Sequence, residues 1–353
     1  MKKRSLMFKL ASLTLAAALS LTALLPVQKA AEAEAEVPYS GVVLSELTGL
    51  PISAALQAQR PVAIMVDNEK FALPHFGLNQ ADIVYEMMNS TANGRITRLM
   101  AIVKDWGSIT QFGSIRSTRP TNFMLAAEYN AILVHDGGPF YNNTYIAQPY
   151  TNNLSGGFAR FSNGKRTEFT EYVTYGGYTN PKTGKSYAGL ASRIASAGYS
   201  TVYNQYYTGA GLAFTNAEYV PAGIPASMIS LPFPHNSSKL AYNAITGTYD
   251  YYEYGAAHID ALTNIQTSFE NVILMNCSFT QLDKNGYMVY NILGAGNGYY
   301  IANGACIPIN WSKASETSHT VYTDATGNIL RLNPGKTYIG IVPSDVWAQV
   351  AIQ

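Results

Sequence analysis

Cysteine is almost missing from this chain: two occur in 353 residues, and none precedes Cys277. That excludes a disulfide-dense scaffold and a cysteine-based metal cluster, and it leaves no lipid-acceptor cysteine near the amino terminus. Charge is sparse as well, with 13% Asp, Glu, Lys and Arg summing to +1. Such a chain has no basic field to neutralise a phosphate backbone, which argues against nucleic acid as a partner. No phosphate-binding loop or dinucleotide fingerprint occurs, and the sequence calls for no cofactor and no metal. Beyond the amino-terminal segment no apolar run is long enough to span a bilayer.

That first segment reads as an export signal. Lys2, Lys3, Arg4 and Lys9 form a basic start, an apolar stretch runs from Leu10 to about Val27, and small residues place cleavage near Ala33 or Ala35. An uncleaved anchor is the other reading. Removing residues 1–35 takes away five of 23 basic and two of 22 acidic residues, leaving a net charge of about −2. The expected location is extracytoplasmic, secreted or held at the cell wall.

The rest of the chain divides by pattern. Residues 45–225 read as an α/β domain, a mixed sheet with flanking helices, because short apolar runs such as Val62–Val66, Ile83–Met87 and Leu99–Val103 are bounded by polar residues. Helices are expected over Thr121–Tyr129 and near Ala188–Ala197. Within this domain, 139–225 is rich in Tyr and Asn; its tyrosines either stack on sugar rings or pack the segment itself. Residues 226–345 alternate apolar and polar positions between turn signals such as Asn285-Gly286 and Asn303-Gly304, and read as a β-rich domain. Cys277 and Cys306 lie in this part; they pair, closing a loop worth roughly 3 to 4 kcal/mol, or remain two buried thiols.

Arginine is the informative residue. Nine occur after the export segment, and Arg95, Arg98, Arg116 and Arg119 fall within 25 positions. Guanidinium forks grip carboxylate and phosphate. Pro120 disfavours helix at Arg119, and Ser117 or Thr118 is placed to cap the helix beginning near Thr121, so the forks would share space with free backbone N–H groups. The partner is a ligand anion or an internal carboxylate such as Asp67, Asp82 or Glu86.

Asp67 and Asn68 end a buried run, where α/β sheets put ligand groups. Asp67 is either an acid/base residue or a turn residue. Glu86 is either a rim ligand or the ion-pair partner of Arg98 or Arg116. His135 precedes Gly137 and Gly138, which admit a ligand to the backbone; it is either a proton carrier or a strand-end histidine. His75, His235, His258 and His319 show no metal-ligand spacing.

Arg60–Asn68, Gly77–Glu86, Arg95–Arg98, Gly113–Pro120 and Val134–Gly138 resemble the successive blocks of the YerB-like lipoproteins, the family of domain of unknown function 3048. Gly294–Gly298, Asn310–Lys313 and Leu332–Thr337 are similar to its second domain. The resemblance implies an extracytoplasmic protein of two domains without a settled activity. Asp136 and Pro139 depart from the small residues of the family's His-Gly-Gly loop, and the lipid-acceptor cysteine is missing.

Two functions are compatible with these residues. One is an envelope protein binding a wall glycan, a peptide carboxylate, a phosphopolymer or a partner protein through an arginine-lined cleft, with Asn68, Glu86, Arg95, Arg98, Arg116, Ser117, Arg119, Gly137 and Gly138 as contacts. The other is an envelope hydrolase or transferase with Asp67 or His135 as acid/base and Arg98, Arg116 and Arg119 stabilising charge.

Overall fold

A computed structural model describes residues 41–209 and 211–353; the export signal expected over residues 1–35 lies outside the described residues. Val62–Asp67 (β1), Ile83–Met88 (β2) and Thr97–Val103 (β3) are buried at every position. Strands apolar on both faces must be covered on both faces. After them come the helix Pro120–Glu128 (α1), Ile132–His135 (β4), Asn143–Ile146 (α2), Asn153–Ser155 (β5) and Leu190–Ser196 (α3). The carboxy-terminal part is strand-rich: Met228–Ser230 (β6), Lys239–Asn243 (β7), Thr248–Glu253 (β8), Asn271–Cys277 (β9), Gly294–Ala302 (β10), Ala305–Lys313 (β11) and Thr337–Pro343 (β12).

One eleven-stranded sheet draws on both parts, in the order β11-β10-β9-β12-β2-β3-β1-β4-β5, with Ile224–Pro225 and Val321–Asp324 paired to β11. It is mixed, as expected: β1/β4, β4/β5, β9/β12 and β12/β2 are parallel, and the other neighbours along this path antiparallel. The β12/β2 ladder, Thr337–Ile341 against Ile83–Met87, joins the carboxy-terminal strands to the amino-terminal ones.

Each face has its own cover. On one side a six-stranded sheet containing β6, β7 and β8 packs Leu240, Tyr249 and Tyr251 on Val84, Val272 and Tyr338. On the other, α1 packs Phe123 and Met124 on Met65, Tyr85 and Met100. Helices are present where expected, at α1 and α3, but they are short: α1 has nine residues, α2 four and α3 seven. No helix among the described residues is long and apolar enough to cross a membrane.

Tyrosines of the tyrosine-rich segment pack on one another and on neighbouring parts of the chain, Tyr145 on Phe123 and Tyr175 on Trp106. Phe161 stacks on Tyr178 at 4.1 Å, Tyr203 on Tyr207 at 3.7 Å, and Tyr172 is buried. The pairing considered for Cys277 and Cys306 is corrected: both are free and buried. They sit on β9 and β11 with β10 between them, and they join the cores on opposite faces of the sheet. Two strand spacings, about 9.5 Å, exceed the reach of a disulfide.

Candidate functional site

Side chains alternate faces along a strand, and this sorts the candidate residues. Asp67 follows Met65 in phase and Arg98 follows Met100, so both face α1; Glu86 follows Val84 and faces the second sheet. Asp67 and Arg98 are register partners on β1 and β3. The ion pair considered for Glu86 with Arg98 or Arg116 is therefore not formed, because the sheet stands between them.

Glu86 is instead held by neutral donors. Its Oε1 accepts from Asn68 Nδ2 (3.3 Å), Thr97 Oγ1 (3.0 Å), Asn236 Nδ2 (2.7 Å) and Ser238 Oγ (2.7 Å). Its Oε2 accepts from Tyr251 (2.9 Å) and Tyr338 (2.6 Å). Burial, with the nearby Glu253 and Glu86 carboxylates, pushes both phenols well above the usual tyrosine range, so they stay donors. Glu86 and Asn68 thus form a buried network fully out of solvent. Neither is placed as a rim ligand.

On the α1 face the arginines converge. Arg98 Nη1 lies 3.0 Å from Asp67 Oδ1, and Arg116 Nε lies 3.1 Å from Asp67 Oδ2 without hydrogen-bond alignment. Arg116 also reaches Glu168 (3.6 Å) and lies 5.7 Å from the Phe169 ring. Arg119 has no carboxylate partner among the described residues. It donates from Nε to the Asn89 carbonyl (3.0 Å) and from Nη1 to the Thr118 carbonyl (2.9 Å) and Ser117 Oγ (3.3 Å), with its guanidinium over Tyr287. Burial and the charge of Arg98 lower it to about 10, which still leaves it cationic at neutral pH.

The loop geometry differs from the expected Ser or Thr cap. Arg119 takes the N-cap position of α1, and Asn122 Oδ1 reaches back to accept from Arg119 N (2.8 Å) and Thr118 Oγ1 (3.2 Å). The glycine loop lies directly alongside: Asp136 N donates to the Arg116 carbonyl and Thr118 N to the Gly137 carbonyl. Gly137 and Gly138 are exposed at φ 74° and 155°, and a Cβ on Gly138 would fall 2.1 Å from Asn142 Nδ2. Only glycine fits there.

His135 is the last residue of β4. Its Nδ1 lies 2.9 Å from the Gly137 carbonyl, its Nε2 3.2 Å from Asn153 Nδ2, and burial lowers its pKa. Both ring nitrogens are engaged. Arg95 leaves the cluster: it forms a two-pronged pair with Asp345 and lies over Phe279. Beside Arg116 an open hollow of about 510 Å³ is lined by Phe71, Gly164, Lys165, Arg166 and Phe169. Arg116 borders this hollow through Phe169, Arg166 lines it, and Arg98 and Arg119 are not among its lining residues.

Sequence reasoning missed two groups. Glu171 is buried beside Asp136 and pairs with Arg160 at 2.6 Å; burial first, then Asp136, raises it to about 7. His75 and His258, 183 positions apart, meet at 2.9 Å, with Glu253 3.6 Å from His258. Burial lowers His75 to about 4 and His258 to about 3, so both imidazoles are neutral. Spacing along the chain carries no trace of this contact, which the second sheet creates.

The architecture defines a strand-rich protein in which two sequence segments share one mixed sheet, with an arginine-rich loop on its helix-covered face. Residues 47–199 match the model described as "Protein of unknown function (DUF3048) N-terminal domain" and residues 229–339 that of the DUF3048 C-terminal domain; the chain belongs to this family. It is similar to the Bacillus subtilis (strain 168) protein named "Putative lipoprotein YerB", 26% identical over 303 residues that cover 84% of this chain and 85% of that one. The crystal structure of YerB from Bacillus subtilis has a similar fold, with TM-score 0.72, 23% identity, and coverage of 88% of this chain and 99% of that chain.

Proposed function

We propose that this is an extracytoplasmic envelope protein that binds an anionic wall component, a glycan, peptide carboxylate or phosphopolymer, at the rim formed by Arg116, Ser117, Arg119, Gly137 and Gly138. The carrying observation is Arg119, a cation without a carboxylate partner among the described residues. Its neighbours Arg98, Arg116, Arg160, Lys165 and Arg166 are offset by Asp67, Glu69, Asp136, Glu168 and Glu171. The hollow next to Arg116 adds two aromatic faces, Phe71 and Phe169, of the kind that stack on sugar rings. The extracytoplasmic setting rests on the export-like amino terminus and on the name of the Bacillus relative. The two domains proposed at 45–225 and 226–345 would then meet along the β12/β2 ladder.

Catalysis has weaker support. Asp67 is fully buried between two guanidiniums, and His135 has both nitrogens occupied. An acid/base residue needs a face toward substrate.

Calorimetric titration with soluble cell-wall fragments tests the binding reading. Arg116→Gln and Arg119→Lys, each checked for folding by thermal unfolding, are expected to weaken binding by about tenfold or more, a loss of about 1.4 kcal/mol. Unchanged affinity in two folded variants would remove the site.

A further inference from the structure

We infer that His75, His258 and Glu253 form a buried divalent-metal site of the zinc type. The three are 0%, 3% and 2% exposed, and one ligand atom from each, an imidazole nitrogen or a carboxylate oxygen, lies within 4.8 Å of the other two. His75 Nδ1 and His258 Nε2 are 2.9 Å apart, and Glu253 Oε1 is 3.6 Å from His258 Nε2. Ligands around a tetrahedral zinc at about 2.0 to 2.2 Å are separated by roughly 3.3 to 3.5 Å; the two distances to His258 need changes of a few tenths of an ångström, and Glu253 must draw closer to His75 from within 4.8 Å.

Two further features fit a metal better than a plain hydrogen-bond cluster. Each imidazole is oriented through its other nitrogen: His75 Nε2 donates to the Asp67 carbonyl at 2.6 Å, and His258 Nδ1 lies 3.0 Å from Thr267 Oγ1. This outer partnership is what metal-binding histidines show. Glu253 Oε1 is a buried oxygen with no hydrogen-bond partner, while its Oε2 accepts from Asn236 Nδ2 at 3.3 Å. An unpaired buried carboxylate oxygen beside two imidazole nitrogens is a ligand set, and two imidazoles with one carboxylate suit Zn²⁺ and its neighbours Fe²⁺ and Co²⁺.

The tautomers sharpen the claim. The Asp67 carbonyl only accepts, so the hydrogen of His75 is on Nε2 and the Nδ1 lone pair faces inward. Without an ion His258 must place its hydrogen on Nε2 to donate to His75. With an ion that hydrogen moves to Nδ1 and is donated to Thr267 Oγ1. Because His75 comes from the amino-terminal part while Glu253 and His258 come from the second sheet and the loop after it, the ion would tie the two parts together behind Asp67. The site is enclosed, so loading is expected during folding rather than by exchange into the folded protein.

The test is refolding of the full chain with Zn²⁺ or with a chelator, followed by dialysis and elemental analysis. One zinc per chain is expected, with a Tm several degrees above that of the chelator-refolded protein. Refolding with Co²⁺ should give a visible absorption distinct from that of the aqueous ion, as expected for imidazole and carboxylate ligands. Glu253→Gln and His258→Gln should each lose the retained metal and the cobalt spectrum. If a variant fails to fold, ring-nitrogen NMR of the unsubstituted chain decides, since zinc should switch the protonated nitrogen of His258 from Nε2 to Nδ1. No retained metal, metal retained equally by both folded variants, or an unchanged His258 tautomer would each overturn the assignment.

Discussion

Glu171 shows how one side chain takes its chemistry from a neighbour. Burial and the Asp136 carboxylate raise it to about 7 from an ordinary 4.5, while Arg160 pulls the other way. In the unfolded chain the same group releases its proton near 4.5. At this group the folded state therefore binds more protons between these values, and by linkage the contribution of Glu171 to stability falls as pH rises through about 7 and is greatest below about 4.5. Urea unfolding of the chain and of Glu171→Gln at pH 5.5 and 8 should show this decline as the difference between the two. Asp136→Asn, which removes the neighbouring charge and leaves the burial, should make it shallower; an unchanged slope would mean that Asp136 does not contribute to the Glu171 shift. The sequence showed Asp136 as a departure in the His-Gly-Gly loop, yet nothing in it placed Glu171 beside that loop. The same holds for Glu86: its run marked it as buried, but six donors from five elements and loops are a product of tertiary packing.

At the scale of elements, the apolar runs made the central strands legible and located α1 to within a residue. What they could not convey was the face each charged residue takes, although the alternation was present: Glu86 in phase with Val84, Asp67 with Met65. By that alternation, Glu86 and Arg98 fall on opposite sides of the sheet. The start of α1 was legible from Pro120, but its cap was not, because the capping group comes from inside the helix. Asn122 Oδ1 satisfies the Arg119 N–H and fixes Thr118, so it sets the loop that carries Arg116 and Arg119. Asn122→Ala is expected to cost about 1 to 2 kcal/mol in chemical unfolding. It should also weaken wall-fragment binding with both arginines intact, because their loop loses its anchor; full binding in the folded variant would separate the loop from the site.

For the whole molecule, the decisive links run between the two sequence segments. The β12/β2 ladder is one, and the buried pair Lys313–Glu128 is another, joining the end of β11 to the end of α1 at 2.8 Å. Lys313 belongs to the Asn310–Lys313 block that resembled the family's second domain, so its presence was legible while its partner was not. Burial works to raise the Glu128 carboxyl, yet Lys313 and hydrogen bonds from Lys313 and Thr320 hold it below the ordinary range. Removing the lysine leaves that carboxylate buried against Tyr85 and Thr320 alone. Lys313→Met should therefore destabilise the chain by about 3 to 5 kcal/mol at pH 7.5. With its cation gone, Glu128 is raised above its unfolded value, so the folded variant gains protons as pH falls and its deficit should shrink toward pH 5. Adding Glu128→Gln should recover much of the loss at pH 7.5, since no buried charge then remains. A deficit independent of pH, or a double variant no more stable than Lys313→Met, would show that packing of the lysine stem rather than the ion pair holds α1 to β11.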